Sequence, residues 1–212
     1  MSDQDLPIVF SPDNEPYLGR ELLFHFDQLI SATLELNSLV APATHKIKLT
    51  NAQEMACQLI PQSISIALSI RELVRQGYLF GAQVLLRPLA ERATTLLYLL
   101  LFPAEINKWD HGWNHREAPS FGKMIESINK QNGNPQASSA NQITSRMNSL
   151  IHGKPDSAQW NMIPIGATGL GQASSKILAR PDLCDIICAD TIPLLALVQA
   201  MINGYFPGVP NA

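Results

Sequence analysis

The chain is poor in charge: 16% of its 212 residues are Asp, Glu, Lys or Arg, whereas 46% are hydrophobic. Lys and Arg together number 15 and the formal net charge is −3, so no overall positive field attracts nucleic acid. Any contact with RNA or DNA needs a local basic patch. Because a weakly charged surface is often partly covered by a partner, we expect self-association as a homodimer.

Cysteine is scarce as well, and its three copies do not suggest a disulfide framework. They are an odd number without secreted-domain spacing, and Cys184 and Cys188 are expected to be small core residues. The opening residues are acidic and differ from the positively charged start of a signal peptide. The longest apolar stretch, 78–102, contains three charged side chains that would be costly in lipid. We therefore expect a cytoplasmic protein without a transmembrane helix.

Apolar residues recur at three- and four-residue spacing along most of the chain. This periodicity predicts an all-α, up-and-down helical bundle forming one domain, 17–212, after an extended arm, 1–16. The predicted helices are 17–39, 51–76, 78–101, 104–114, 120–130, 139–152 and 182–205. Pro42 is expected to end the first helix and Gly77 the second. Residues 153–180 predict a long irregular loop before the last helix, and we expect no strands.

The third predicted helix is apolar nearly all round and is expected at the centre of the bundle. Its expected neighbours are the second helix, the 139–152 helix and the last helix. Arg87 and Glu91 lie four residues apart on it, so they share a face and can pair. Because the surrounding residues are apolar, we expect both charges to be partly buried and to need partners. The pair is either a salt bridge that fixes helix register or part of a site.

Asn148 and His152 have the same four-residue spacing on the 139–152 helix. On an ideal helix they lie about 40° apart, where an amide and an imidazole can hydrogen-bond the charges of the third helix. His152 is also in the last turn, where a histidine often caps main-chain carbonyls. If these residues form a site, Arg87, Glu91, Asn148 and His152 converge, with His152 reachable from solvent. If they are structural, they form a buried network.

The Arg87–Glu91 pair lies in a stretch that runs from Gly77-Tyr-Leu-Phe-Gly-Ala through Leu-Arg87-Pro-Leu-Ala-Glu91, and the second pair lies in Asn148-Ser-Leu-Ile-His152-Gly. Together these two segments resemble a family of uncharacterised all-helical bacterial proteins. That family pairs an Arg-x3-Glu helix with a later Asn-x3-His-Gly element. The second segment, through Arg146-x5-His152, also resembles the Arg-x4–6-His motif of HEPN domains.

The resemblance to HEPN domains implies a metal-independent endoribonuclease or toxin of a toxin–antitoxin or phage-defence system. It implies a dimer that acts on RNA or binds a cognate antitoxin protein, and no cofactor. His152 then takes the 2′-hydroxyl proton, since an imidazole titrates near neutrality. Arg146 or Arg87 stabilises the phosphorane, because a guanidinium binds phosphate bidentately. Asn148 and Glu91 complete the candidate catalytic set.

A non-catalytic helical interaction or scaffold protein is the alternative, with the same side chains forming a buried structural network. The net acidity favours it, and so does the position of Arg146, about 120° from His152 on an ideal helix. The paired motifs favour the ribonuclease. A metal site at His111 and His115 is disfavoured, because Gly112 weakens that helix and no third ligand stands out.

Overall fold

The computed structural model describes residues 10–113, 118–134, 138–167, 169–172 and 175–208. Its α-helices are α1 (Glu21–Thr44), α2 (Asn51–Arg75), α3 (Leu79–Leu101), α4 (Ile106–Asp110), α5 (Phe121–Gln131), α6 (Ser138–Ile151), α7 (Pro155–Ala158) and α8 (Pro181–Tyr205). Two 3-10 helices, Pro103–Glu105 and Gln159–Asn161, and one hairpin of β1 (Met162–Ile165) and β2 (Gly169–Gln172) are also described. The prediction of an all-α helical bundle is confirmed.

Helix α3 lies at the centre of the bundle, as its apolar sequence predicts. None of its residues is exposed, and Leu79, Leu89, Leu96 and Leu99 are completely buried. Full burial of one leucine side chain contributes roughly 1.5–3 kcal/mol, so this helix supplies much of the stability. α3 packs most extensively against α2 and α8 and also contacts α5 and α6. The three predicted neighbours are therefore confirmed, and α5 is a fourth.

The turn between α2 and α3 is built on Gly77, as predicted. Gly77 has φ +77°, and the N–H of Tyr78 donates to the carbonyl of Leu73 at 2.8 Å, which makes a Schellman motif. The carbonyl of Gly77 accepts from the N–H of Ile177 at 2.9 Å. A Cβ on Gly77 would lie 3.0 Å from the Ile177 carbonyl oxygen. Glycine is thus required both for the backbone conformation and for the close approach of the segment before α8.

The end of α1 differs from its prediction. Pro42 lies inside the helix, which continues to Thr44. A proline removes one main-chain hydrogen bond, but packing can outweigh that loss near a helix end. Val40, in the same turns, is 5% exposed and belongs to the core. The buried face of α1 therefore extends past the residue that was expected to end it.

The prediction of no strands is wrong, because the predicted loop over 153–180 includes short regular elements. The segment contains α7, a 3-10 helix and the β1–β2 hairpin, in which Pro164 pairs with Leu170 and Ile165 pairs with Gly169. The sequence conceals this hairpin because proline in one strand and glycine in the other both lower strand propensity. The strands are also only four residues each, which is too short for a clear alternating pattern.

The segment before α1 is folded onto the bundle. Residues 1–9 of the predicted arm lie outside the described residues, but Glu15 and Tyr17 are 5% and 3% exposed. The two Nη atoms of Arg71 on α2 donate to the carboxylate oxygens of Glu15 at 2.9 and 2.7 Å. The hydroxyl of Tyr17 donates to the Ile177 carbonyl. The described part of the arm is therefore anchored by buried polar contacts.

Among the residues that the structure describes, α8 is long and apolar enough to cross a membrane by length and composition alone. Core helices of soluble proteins pass the same test. In this fold α8 packs against α1, α2 and α3, and buries Ile187, Leu195 and Val198 completely.

Candidate functional site

Arg87 lies near the middle of α3 and makes two hydrogen bonds through its guanidinium group. Its Nε donates to Oε1 of Glu91 at 2.7 Å, one turn further along the same helix. Its Nη1 donates to Oδ1 of Asn148 on α6 at 2.9 Å. The Arg87 side chain is 15% exposed and that of Glu91 is 44% exposed. Arg87 is thus the buried member of the pair, whereas the carboxylate of Glu91 reaches water.

A third contact to Arg87 comes from Phe121 on α5. The Cζ atom of Arg87 lies 4.6 Å from the centroid of the Phe121 ring, within the range of a cation–π interaction. Phe121 is 6% exposed and is the first residue of α5, whose N-cap is Ser120. The sequence gives no sign of this contact, because no spacing pattern relates Phe121 to Arg87. The cluster therefore connects α3, α5 and α6.

These contacts compensate the Arg87 guanidinium for its burial. Removing a charged group from water costs several kcal/mol, and a hydrogen bond to a charged group returns about 1.5–3 kcal/mol. Two such bonds and the aromatic face balance the desolvation of a side chain that is only partly buried. The same contacts occupy the Nε and Nη1 atoms, so a ligand could reach this cation only through its remaining N–H groups.

His152 follows the last residue of α6, and its side chain is exposed. Its main-chain N–H donates to the carbonyl of Asn148 at 3.0 Å, and Gly153 after it has φ +61°. Within the described parts of the chain, no hydrogen bond or ion pair joins its imidazole to Arg87, Glu91 or Asn148. The structure therefore brings Arg87, Glu91 and Asn148 together and leaves His152 open to solvent at the end of the same helix.

Arg146 of α6 contacts a different helix. Its Nη2 donates to Oδ2 of Asp190 on α8 at 2.6 Å, with 54% of the Arg146 side chain and 30% of the Asp190 side chain exposed. An exposed pair of this kind contributes about 0–1 kcal/mol. The contact between Arg146 and Asp190 depends on how α8 packs against α6, so the sequence does not predict it. The Arg146 side chain thus bonds to α8, whereas the side chain of Asn148 on the same helix bonds to α3.

Two of the three cysteines, Cys57 and Cys188, are held in the thiol form. Cys184 and Cys188 are free and completely buried one turn apart on α8, which confirms that they are core residues. The neighbouring Cys184 thiol, together with burial, raises the pKa of Cys188. Burial, assisted by the negative charge of Glu54, also raises the pKa of Cys57. Because the thiolate is the nucleophile, raised pKa values keep Cys57 and Cys188 unreactive.

The structure gives no ligand set for a metal in the part of the chain that it describes. Nδ1 of His111 lies 2.7 Å from the Asn107 carbonyl oxygen, and His115 is outside the described residues. No group of three or more His, Cys, Asp or Glu side chains among the described residues is placed to hold a metal ion. Glu91, the carboxylate of the candidate cluster, is already bound to a cation, Arg87.

The candidate site therefore consists of a partly buried cation with two fixed acceptors and an accessible imidazole one helical turn beyond one of them. The cation can fix the orientation of α6, and the imidazole can exchange protons with solvent or with a bound molecule. No family model, curated protein or solved structure matches the chain.

Proposed function

We propose that the chain is a non-catalytic helical interaction protein, in which Arg87 fixes α6 and α5 on the central helix α3. The proposal rests on the contacts of the Arg87 guanidinium, which donates to Glu91 and Asn148 and lies over the ring of Phe121. A guanidinium with these partners positions helices. Three of its five N–H groups, on Nη1 and Nη2, remain for any phosphate that reaches the cluster.

The state of the second arginine supports the same proposal. A phosphate that binds Arg146 must compete with the carboxylate of Asp190, 2.6 Å away. The formal net charge of −3 adds a weak repulsion for any polyanion. Arg146 also lies about 120° around an ideal helix from His152, so one phosphodiester does not easily meet both side chains.

A HEPN-like endoribonuclease or toxin is the second candidate, and the exposure of His152 favours it. An imidazole at this place is accessible to a 2′-hydroxyl group of RNA. It would take the hydroxyl proton while the 2′-oxygen attacks phosphorus; the bond from phosphorus to the 5′-oxygen would break and that oxygen would take a proton from water, giving a 2′,3′-cyclic phosphate. The charge at phosphorus would be stabilised by Arg87 or Arg146 of the same or a second chain. RNA and a cognate antitoxin protein are the partners of this candidate, in the cytoplasm.

An assay on total RNA separates the two candidates. The wild-type protein, purified and incubated with total RNA in EDTA, is expected to leave the RNA intact. The ribonuclease candidate instead requires metal-independent cleavage that disappears in His152→Ala and persists in His25→Ala. His25 is a matched control because it is an exposed histidine on the surface of α1. Cleavage with that pattern of variants would overturn the non-catalytic proposal.

Both candidates include a homodimer, which the weakly charged composition favours. Multi-angle light scattering of the wild-type protein is expected to give twice the chain mass of 23.3 kDa at micromolar concentrations. A single-chain mass throughout this range would exclude the homodimer. It would also weaken the ribonuclease candidate, whose catalytic residues are expected to come from two chains.

A further inference from the structure

The turn between α2 and α3 holds the main chain of Phe10, the first described residue of the arm. Oε1 of Gln76 accepts from the Phe10 N–H at 3.3 Å, and Nε2 of Gln76 donates to the Phe10 carbonyl at 3.2 Å. One side-chain amide thus makes both main-chain hydrogen bonds of a single residue, as the facing residue does in an antiparallel pair of strands. The amide therefore fits an extended segment.

The ring of Phe10 is held by a second set of contacts. Nζ of Lys176 lies 5.4 Å from the centroid of the Phe10 ring and 5.2 Å from that of Tyr78, so one ammonium group contacts two aromatic rings. The N–H of the next residue, Ile177, donates to the Gly77 carbonyl, which fixes Lys176 beside the turn. The amide thus contacts the main chain and the ammonium group contacts the aromatic side chain.

We call Gln76, Tyr78 and Lys176 the arm site. Phe10 can leave it by a movement of a short exposed turn. The next four residues, 11–14, are all exposed, and the Asn14 N–H donates to the Ser11 carbonyl at 3.2 Å. The buried part of the arm begins only after this turn, at Glu15. Residues 11–14 are therefore the hinge about which Phe10 leaves the arm site.

Every copy of the chain carries the same segment, so a second copy supplies a ligand with the same chemistry. Exchange of an identical element between two chains makes the same contacts as the arrangement within one chain, and it therefore costs little. We propose that the arm site binds an extended peptide segment with an aromatic residue, and that Phe10 of a second copy can replace the chain's own Phe10. The proposal holds whether or not the protein cleaves RNA.

The test uses the full chain and a fluorescent peptide of residues 6–14, which stands for the arm of a second copy. In the wild type, the chain's own Phe10 competes with the peptide at an effective concentration on the order of millimolar. Phe10→Ala weakens this internal competitor and leaves the arm site intact. Fluorescence anisotropy is therefore expected to show about tenfold tighter binding of the peptide by Phe10→Ala than by the wild type.

Phe24→Ala, which truncates an exposed phenylalanine of α1, is the matched control and should bind the peptide as the wild type does. Equal affinities of Phe10→Ala and the wild type would overturn the proposal. Absence of binding by folded Phe10→Ala would overturn it as well.

Changes in the peptide test the two kinds of contact without altering the protein. A methyl group on the peptide nitrogen of Phe10 removes the donor to Gln76 and should weaken binding to Phe10→Ala about twofold to tenfold. The same methylation at Asp13, an exposed residue, is the control and should change the affinity little. Cyclohexylalanine in place of Phe10 has similar bulk without the aromatic face, and should bind about twofold to fivefold more weakly. Full affinity after either change at residue 10 would contradict the proposed contacts.

A double-mutant cycle locates the peptide at the turn between α2 and α3. Gln76→Met, made in the Phe10→Ala protein, removes the side-chain amide and should weaken binding of the unmodified peptide about twofold to tenfold. Methylation of the Phe10 nitrogen should then cause no further loss, since its acceptor is already absent. Gln28→Met in the same protein, at an exposed position of α1, is the control and should retain the effect of methylation. Equal effects of methylation in the two proteins would place the peptide elsewhere and overturn the proposal.

Discussion

Arg87 and Asn148 are joined by a 2.9 Å hydrogen bond although they are 61 residues apart in the sequence. The bond connects the central helix α3 to α6, which also packs against α3. The Arg87 side chain is 15% exposed, so most of it lies inside the bundle. The position of α6 on the bundle therefore depends in part on the chemistry of one guanidinium group, beside the packing of α6 against α3 and α5.

Arg87→Lys is the first test of that dependence. A lysine ammonium cannot donate in the planar fork that reaches Glu91 and Asn148 together, so one acceptor loses its partner. We expect the free energy of unfolding to fall by about 1–3 kcal/mol, measured by urea denaturation. Arg92→Lys is the matched control, because Arg92 on the same helix donates to Gln62 and to the Pro88 carbonyl and has no partner on α6 among the described residues. Equal losses in the two variants would contradict a special role for Arg87.

The second test compares Asn148 with His152. Asn148→Ala removes the acceptor of Arg87 and should lower the free energy of unfolding by about 1–3 kcal/mol. His152→Ala truncates an exposed side chain, and we expect a change within about 0.5 kcal/mol. Thermal melts of both variants beside Asn203→Ala, an exposed asparagine of α8, measure the difference. A His152→Ala protein that melts as low as Asn148→Ala would place the imidazole inside the network.

The sequence predicts the part of the site that follows helical periodicity. The pairing of Arg87 with Glu91 follows from their spacing, since residues four apart on a helix are neighbours. The role of Asn148 as a partner of Arg87 follows from its place on the 139–152 helix, and its Oδ1 accepts from Arg87 in the structure. Phe121 and Asp190 were missed because their contacts depend on the angles at which α5 and α8 cross the bundle. No local pattern encodes those angles.

Features of the fold that lack a repeating pattern cannot be predicted from the sequence. Helix bodies were predicted because amphipathic periodicity repeats over many residues. The β1–β2 hairpin was missed because Pro164 and Gly169 contradict strand propensity over elements of four residues. The burial of Glu15 was missed because a carboxylate normally lies at the surface, and only the position of Arg71 makes its burial tolerable.

The contact between Arg71 and Glu15 gives the third test. Arg71→Met leaves the carboxylate of Glu15, whose side chain is 1% exposed, without its cation. Breaking a buried ion pair from one side costs roughly 3–5 kcal/mol, so a large drop in the urea midpoint is expected. Arg71→Met combined with Glu15→Leu should recover much of the loss, because no charge then remains buried. Arg75→Met, which removes an i,i+3 pair with the half-exposed Glu72, is the control and should lose little.

The last test measures how the free energy of unfolding changes at alkaline pH. Burial raises the pKa of Tyr17 from its ordinary value of 10.0 to about 12, and its hydroxyl donates to the Ile177 carbonyl. Because the folded pKa is higher than the unfolded one, folding favours the protonated phenol. This contribution is complete well below pH 10 and declines as the pH rises toward 12, with about 1.4 kcal/mol lost by pH 11.

Tyr17→Phe cannot ionise, so its free energy of unfolding should fall less steeply than that of the wild type between pH 10 and 11. At pH 7 the same variant should be less stable by about 1 kcal/mol, since it lacks the hydrogen bond to Ile177. Burial also raises the pKa of Tyr205, so Tyr205→Phe should flatten the curve in the same direction. Urea midpoints measured from pH 7 to 11 distinguish these outcomes. Parallel curves for Tyr17→Phe and the wild type would mean that the phenol of Tyr17 ionises as readily in the folded chain as in the unfolded one.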